Sequence, residues 1–254
     1  MRRIYFLSLI LLTFFSLEIS AQELVTDRPD QTESSVTIPL NSFQIETGLL
    51  TGFTKNFGIS ERQFLIPTTL LRYGMTKNIE LRIVEQFENR KIILESDGMF
   101  GVSDLELGAK IQILKKEDIN TEIAFLTHLI LPTGSESFTN GNLGTVNKIV
   151  VSHTINDFLD FGYNVGYNFF GSGRGDLIYS KALGIGITDN IGAYIETYGE
   201  IVEFNNPYSN FDSGFTYLIQ ENLQLDLSFG IGLNYSMNYF SVGCSWNIPG
   251  RTNK

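Results

Sequence analysis

Past Pro39 the chain alternates apolar and polar residues with a period of two, most plainly in LQLDLSFGIGLN, Leu223 to Asn234. Leu223, Leu225, Leu227, Phe229, Ile231 and Leu233 share one parity; Gln224, Asp226, Ser228, Gly230, Gly232 and Asn234 share the other. Successive side chains of a strand point to opposite faces, so this run specifies a strand that is greasy on one side and polar or bare on the other. The same split recurs in Ser42–Phe53, Asp104–Ile113, Phe158–Phe169 and Asn238–Ile248, the last placing Phe240, Val242, Cys244, Trp246 and Ile248 on the apolar face. A chain written this way is built from strands.

Between the runs lie short polar cassettes at Tyr73–Leu81, Ile113–Glu122, His153–Phe161, Gly184–Ala193 and Thr216–Leu225. Their Asn, Asp and Gly residues tolerate the left-handed backbone of hairpin turns, which predicts five tight turns. The remaining connections, 55–60, 88–100, 132–146, 170–175, 204–210 and the brief 235–238, read as the polar loops of the other rim. Short and long connections alternate and join about twelve strands, an even count as in single-chain outer-membrane barrels. A soluble β-sandwich or lipocalin-like barrel also alternates. Twelve long strands, however, offer more apolar surface than an eight-stranded interior can fill. The expectation is an all-β transmembrane antiparallel barrel with its apolar parity toward lipid.

The ends divide off. Residues 1–21 read as a cleaved signal peptide, with basic Arg2 and Arg3, an apolar stretch from Ile4 to Leu17, and small Ser20 and Ala21 at the cleavage site. That stretch is shorter than the roughly 20 residues of a spanning helix. Residues 22–40 read as a periplasmic or lumenal segment, 41–248 as the barrel and 249–254 as a tail. Without the leader, 16 basic residues face 27 acidic ones, which argues against a nucleic-acid partner and leaves membrane lipid and a small solute. Cys244 is the single cysteine, so no intrachain disulfide can form.

With apolar positions toward lipid, the opposite parity lines the lumen: Glu46, Arg72, Glu80, Arg82, Glu106, Lys110, Glu122, Asp160, Glu196, Glu200 and Asp226. The excess of acid there describes either a solvated wall or a constriction that favours cationic groups. Phe64, Ile66 and Leu70, and again Ala124, Leu126 and Ile130, fall on this inward parity and need a cover or a greasy permeant. No metal-ligand cluster, nucleotide motif or cofactor motif is written in the chain. Catalysis finds no support either: neither His128, expected inward, nor His153, expected lipid-side near a turn, is followed by Ser two residues on, as in the twelve-stranded outer-membrane phospholipase.

One stretch fits none of this. LVTDRPDQTESSVTIP, Leu24 to Pro39, has no apolar period and carries two prolines. Its TDRPDQTES, with FQIETG at Phe43–Gly48, LRYGMTKNIELR at Leu71–Arg82 and LPTG at Leu131–Gly134, resembles the transporter-like outer-membrane family named for the meta-pathway of phenol degradation. The ISAQ before the mature start resembles leaders of the Bacteroidetes. The resemblance implies a Gram-negative outer-membrane barrel that moves small compounds, hydrophobic or aromatic ones included, and it carries over Asp27, Arg28, Pro29, Asp30, Thr32 and Glu33 as a motif. A passive channel or facilitator is the first expectation. A plugged structural or surface-interaction barrel is the alternative, and a lipid-modifying enzyme comes third. The segment itself is expected to fold into the barrel mouth as a plug, with Arg28 paired to Glu46, Glu80 or Glu106, and with Pro29 and Pro39 keeping it out of the sheet.

Overall fold

The computed structural model describes residues 24–56, 58–95, 97–115 and 119–250. The leader expected over 1–21 lies outside them. Among the described residues every regular element is a strand: β1 (Phe43–Asn56), β2 (Ile59–Gly74), β3 (Ile79–Ile92), β4 (Met99–Val102), β5 (Leu105–Lys115), β6 (Thr121–Leu131), β7 (Gly144–Asn156), β8 (Leu159–Phe169), β9 (Asp176–Gly186), β10 (Ile191–Val202), β11 (Asn206–Gln220), β12 (Leu223–Gly232) and β13 (Ser236–Ile248). Apart from β4 and β5, strands adjacent in sequence pair antiparallel. β1 closes the sheet on β13, from Phe43 opposite Ile248 to Lys55 opposite Ser236. β3 pairs with β5 along Ile79–Val84 and with β4 along Phe87–Arg90, so β4 and β5 are two halves of one interrupted strand. The result is a closed barrel of 12 strands, in which the short β4 alone is laddered on one side only.

The polarity of the wall is inverted relative to a soluble protein. Leu225, Leu227, Phe229 and Ile231 stand exposed on the outside of β12, while Gln224, Asp226 and Ser228 between them are buried. Gln44, Arg72, Glu80 and Lys110 are fully buried inside the barrel. Ala124, Leu126 and Val150 form a small apolar cluster on β6 and β7, with Val146 packed against it. The outward belt therefore has lipid as its solvent, and the fold is held by backbone ladders and by polar contacts within.

Two features depart from the pattern expected from sequence. First, two connections expected to be long are tight, and the brief one expected at 235–238 falls at 233–235. β1 runs to Asn56 and β2 starts at Ile59; β10 and β11 are joined through Glu203 and Phe204, with φ of 55° and 56°; β12 and β13 are separated only by residues 233–235. Ladder pairing uses the backbone alone, so the strands continue through polar residues beyond the apolar belt instead of opening into loops. Second, β2 carries an extra residue at Ile66–Pro67, where its register shifts against both β1 and β3. Proline cannot donate to a ladder and is confined to such bulges in a paired strand. The bulge reverses parity above it. Phe64 and Ile66, expected inward, point outward, with the Arg62 guanidinium 4.9 Å over the Phe64 ring and Ile66 exposed. Leu65 lines the interior in their place, and Leu70, below the bulge, stays inward.

Candidate functional site

Residues 24–39 take no part in the wall. They begin and end at the rim of the short turns. Val25 O accepts from Gln44 Nε2 at 2.9 Å near the start of β1, and Thr37 Oγ1 donates to Lys77 O at 3.2 Å in the β2–β3 turn. Between these anchors the chain forms a loop inside the barrel. Pro29 is buried in it, where the missing N–H would bar a ladder partner.

Its first anchor is Asp27. The carboxylate meets Arg82 Nη1 at 2.6 Å, Lys110 Nζ at 2.8 Å and Arg72 Nη1 at 3.3 Å, while its own N–H donates to Glu46 Oε2 at 2.9 Å. Burial opposes the charge, but Arg72, Lys110 and Arg82 outweigh it and hold this carboxyl well below the usual range. Arg72 in turn forks onto Glu80, with Nε and Nη2 each at 2.9 Å, and reaches Glu46 Oε1 at 2.8 Å. Glu80 also accepts the N–H of Ile38 at 2.9 Å, and Arg72 Nη2 donates to Val36 O at 3.2 Å. Arg82 Nη2 takes Glu33 at 2.8 Å, and Lys148 stands 3.6 Å from the same carboxylate. Charges this deeply buried are tolerable only when paired, and here each meets an opposite charge, although Arg82 Nε itself has no hydrogen-bond acceptor.

The second anchor is Arg28. Expected to meet Glu46, Glu80 or Glu106, it binds Asp226 instead, Nη2 to Oδ1 at 3.0 Å, with Thr68 Oγ1 at 3.2 Å and Ser241 Oγ at 3.1 Å. Glu46 and Glu80 are already engaged by Arg72, and Glu106 by His128 Nδ1 at 2.7 Å. Gly48 and Gly243, cross-strand partners on β1 and β13, leave bare wall where the guanidinium lies; a Cβ on either would fall within 2.7 Å of its Cζ. Two missing side chains thus form a slot that leads Arg28 to Asp226.

At the tip, the Gln31 N–H donates to Glu196 Oε2 at 2.7 Å and the Thr32 hydroxyl donates to the other oxygen. Asp30 sits where burial, then Glu196 and Asp212, push its carboxyl well above the usual range. Gln31 and Glu33 form the floor of a chamber of about 550 Å³ that occupies the lumen on the long-loop side, walled by Arg82, Lys148, Glu106 and Glu200 and by the rings of Tyr198 and Tyr235.

Of the lumen candidates, Glu46, Arg72, Glu80, Arg82, Lys110, Glu196 and Asp226 are buried inside, and Glu106, Glu122 and Glu200 are partly so. Glu122 accepts from Gln112 Nε2 at 3.1 Å, close to Ser35 of the loop. Asp160 is a correction. It has the inward parity but stands exposed at the short-turn rim, one residue into β8, at the mouth and not in the lumen. His128 is inward and buried, and His153 lies outside in a cluster with the Phe161 and Tyr163 rings, its Nδ1 2.8 Å from Thr121. Sequence reading missed Gln44, Lys148 and Asp212. Asp212 was hidden because 204–210 read as a loop, which cut β11 short; once Asn206 starts the strand, the alternation of Phe211, Ser213 and Phe215 against Asp212 and Gly214 assigns it inward.

A family model described as "Putative MetA-pathway of phenol degradation" matches residues 26–244. Among solved structures, an outer membrane channel from Pseudomonas putida F1 superposes with a TM-score of 0.72 at 11% identity, over 84% of this chain and 98% of that one. The KdgM porin, solved in complex with disordered oligogalacturonate, superposes with a TM-score of 0.56 at 12% identity, over 81% and 99%. At such identities the likeness is one of fold. No protein of curated function matches the chain.

Proposed function

The chain belongs to the MetA-pathway phenol-degradation family, and on that premise we propose that it is an outer-membrane channel for the passive passage of small solutes, aromatic ones included, with residues 24–39 as its plug. The observation that carries this reading is the chamber above the loop: about 550 Å³ of lumen with tyrosine rings and charged groups on its wall, in a barrel whose outer belt fits lipid. A channel and a porin that share the fold support it, as does the family's name. The alternative, a permanently plugged structural barrel, draws on the density of ion pairs that fix the loop.

The two readings part in a planar bilayer. Purified, refolded protein should show single-channel conductance, and liposomes containing it should swell in small neutral and phenolic solutes. Arg28→Ala, which frees one anchor of the plug, should raise the open fraction. A folded barrel silent in both wild-type and variant form would sink the channel and leave the structural barrel. The lipid-modifying enzyme finds less support, because among the described residues no serine hydroxyl is hydrogen-bonded to either histidine: His128 Nε2 has no partner, and His153, on the outer wall, meets Thr121.

A further inference from the structure

The two sides of the plug are charged differently. Toward β2, β3 and β5, Asp27, Glu46 and Glu80 are matched by Arg72, Arg82 and Lys110. Toward β10, β11 and β12 the loop brings Asp30 up to Glu196 and Asp212, and the loop's single cation, Arg28, is spent on Asp226. Glu196 and Asp212 are cross-strand partners on the inner wall, 1% and 0% exposed, with carboxyls in hydrogen-bonding contact. Among the described residues neither has an ion-pair partner, and no group of carboxylates there is placed to hold a metal ion. Like charges directly opposite one another in a sheet repel, and burial multiplies the cost.

The hydrogen bonds show where the charge is discharged. Both Glu196 oxygens accept from the plug, at Gln31 N–H and Thr32 hydroxyl. Asp212 Oδ2 accepts from the Tyr239 hydroxyl, and its Oδ1, fully buried, has no donor. A proton on Oδ1 completes the set by donating to Glu196. We propose that Asp212 and Glu196 share one proton at neutral pH, and that this proton is the latch holding the tip of the plug in place.

Tyr194, whose hydroxyl also reaches Asp212, and the other groups around the pair bring no cation to it. β10 contributes the Tyr194 and Tyr198 rings, β12 contributes Ser228 and, one inward position on, Asp226, and β13 contributes Tyr239. The loop contributes Asp30, with Asp27 behind it. When the proton leaves to water, Glu196, Asp212 and Asp30 carry negative charge in one buried space. Withdrawing Asp30 into the aqueous mouth relieves it. The docked state binds the extra proton, so docking weakens as pH rises.

The test uses the whole refolded protein at about pH 6 and about pH 9, reading amide hydrogen exchange over residues 27–35, corrected for intrinsic rate, together with single-channel current. Exchange in the wild type should accelerate by roughly tenfold or more, since one proton of linkage is worth up to tenfold per pH unit. Asp212→Asn keeps a donor toward Glu196 and removes the titration, so its loop should stay protected at both pH values; Asp30→Asn, should the first variant fold poorly, should blunt the response. Equal pH dependence in the wild type and these variants, or none in the wild type, overturns the latch. Because the latch rests on the channel reading only through the current, silence at all pH with alkaline-labile exchange would defeat the channel and spare the latch.

Discussion

Arg28 shows how much one side chain depends on what its neighbours lack. Its guanidinium lies across Gly48 and Gly243 to reach Asp226, whose side chain is fully buried. Arg28→Ala leaves that carboxylate without its partner, and removing one member of a buried pair costs about 3–5 kcal/mol. The plug should loosen while the wall stays intact, read as faster hydrogen exchange over 24–39 with unchanged heat stability of the barrel. Gly243→Ala reaches the same end from the wall, because the three atoms nearest the added methyl all belong to the Arg28 guanidinium, which it displaces. An exchange profile like wild type in both variants would show that the slot does not hold the loop. Asp27 gives a pH dependence of the opposite sign to the latch. Its folded-state value is depressed by Arg72, Lys110 and Arg82 against the opposing effect of burial, so its contribution is complete above the ordinary carboxylate range and is lost only as pH falls through the depressed value. The Asp27 anchor should therefore hold through mild acid, and Asp27→Asn should release the loop at neutral pH, with three buried cations left short of charge.

At the level of elements, period-2 alternation made the strands, their parity and the twelve-fold count legible, because each face meets a solvent of fixed polarity. It failed where polarity is no guide. The strand ends above the lipid belt carry polar residues, so β1, β2, β11 and β13 looked shorter than they are. The bulge at Ile66–Pro67 passes through an apolar stretch in which a one-residue slip leaves no trace in the pattern, so Phe64 and Ile66 were assigned to the wrong face. The site was half legible: inward parity found Glu46, Arg72, Glu80, Arg82, Lys110, Glu196 and Asp226, but no periodicity could say which carboxylate Arg28 meets, since the glycine slot exists only across the β1–β13 seam. The parity assignment itself makes a prediction on β12. Leu227→Arg puts a charge into lipid and should cost about 2–4 kcal/mol near the midplane, whereas Gly230→Ser on the opposite parity meets the Tyr239 ring and should perturb the plug side instead. Urea unfolding in vesicles, with loop exchange alongside, separates the two; equal loss of barrel stability would contradict the inside-out wall.

For the molecule as a whole, the plug consumes most of the lumen's charge, and what is left sets what can pass. Asp27 and Glu33 take up Arg72, Arg82 and Lys110, which leaves the chamber wall with Lys148 shared onto Glu33, Glu106 bound to His128, and Glu200 without an ion-pair partner among the described residues. A lumen charge without a counterion acts on permeants through a low-dielectric wall, and a ring weighted to one sign favours ions of the other. The conducting state should therefore prefer cations modestly, measured as the reversal potential across a salt gradient. Glu200→Gln should move that potential toward zero without affecting plug exchange, because among the described residues no ion pair ties Glu200 to the loop. Lys148→Gln should move it the other way, toward stronger cation preference, since Glu33 then faces the chamber with only Arg82 to offset it. A reversal potential unmoved by both substitutions would mean that ions cross by a route other than the chamber above Gln31 and Glu33, and would place the conducting path outside the lumen described by these residues.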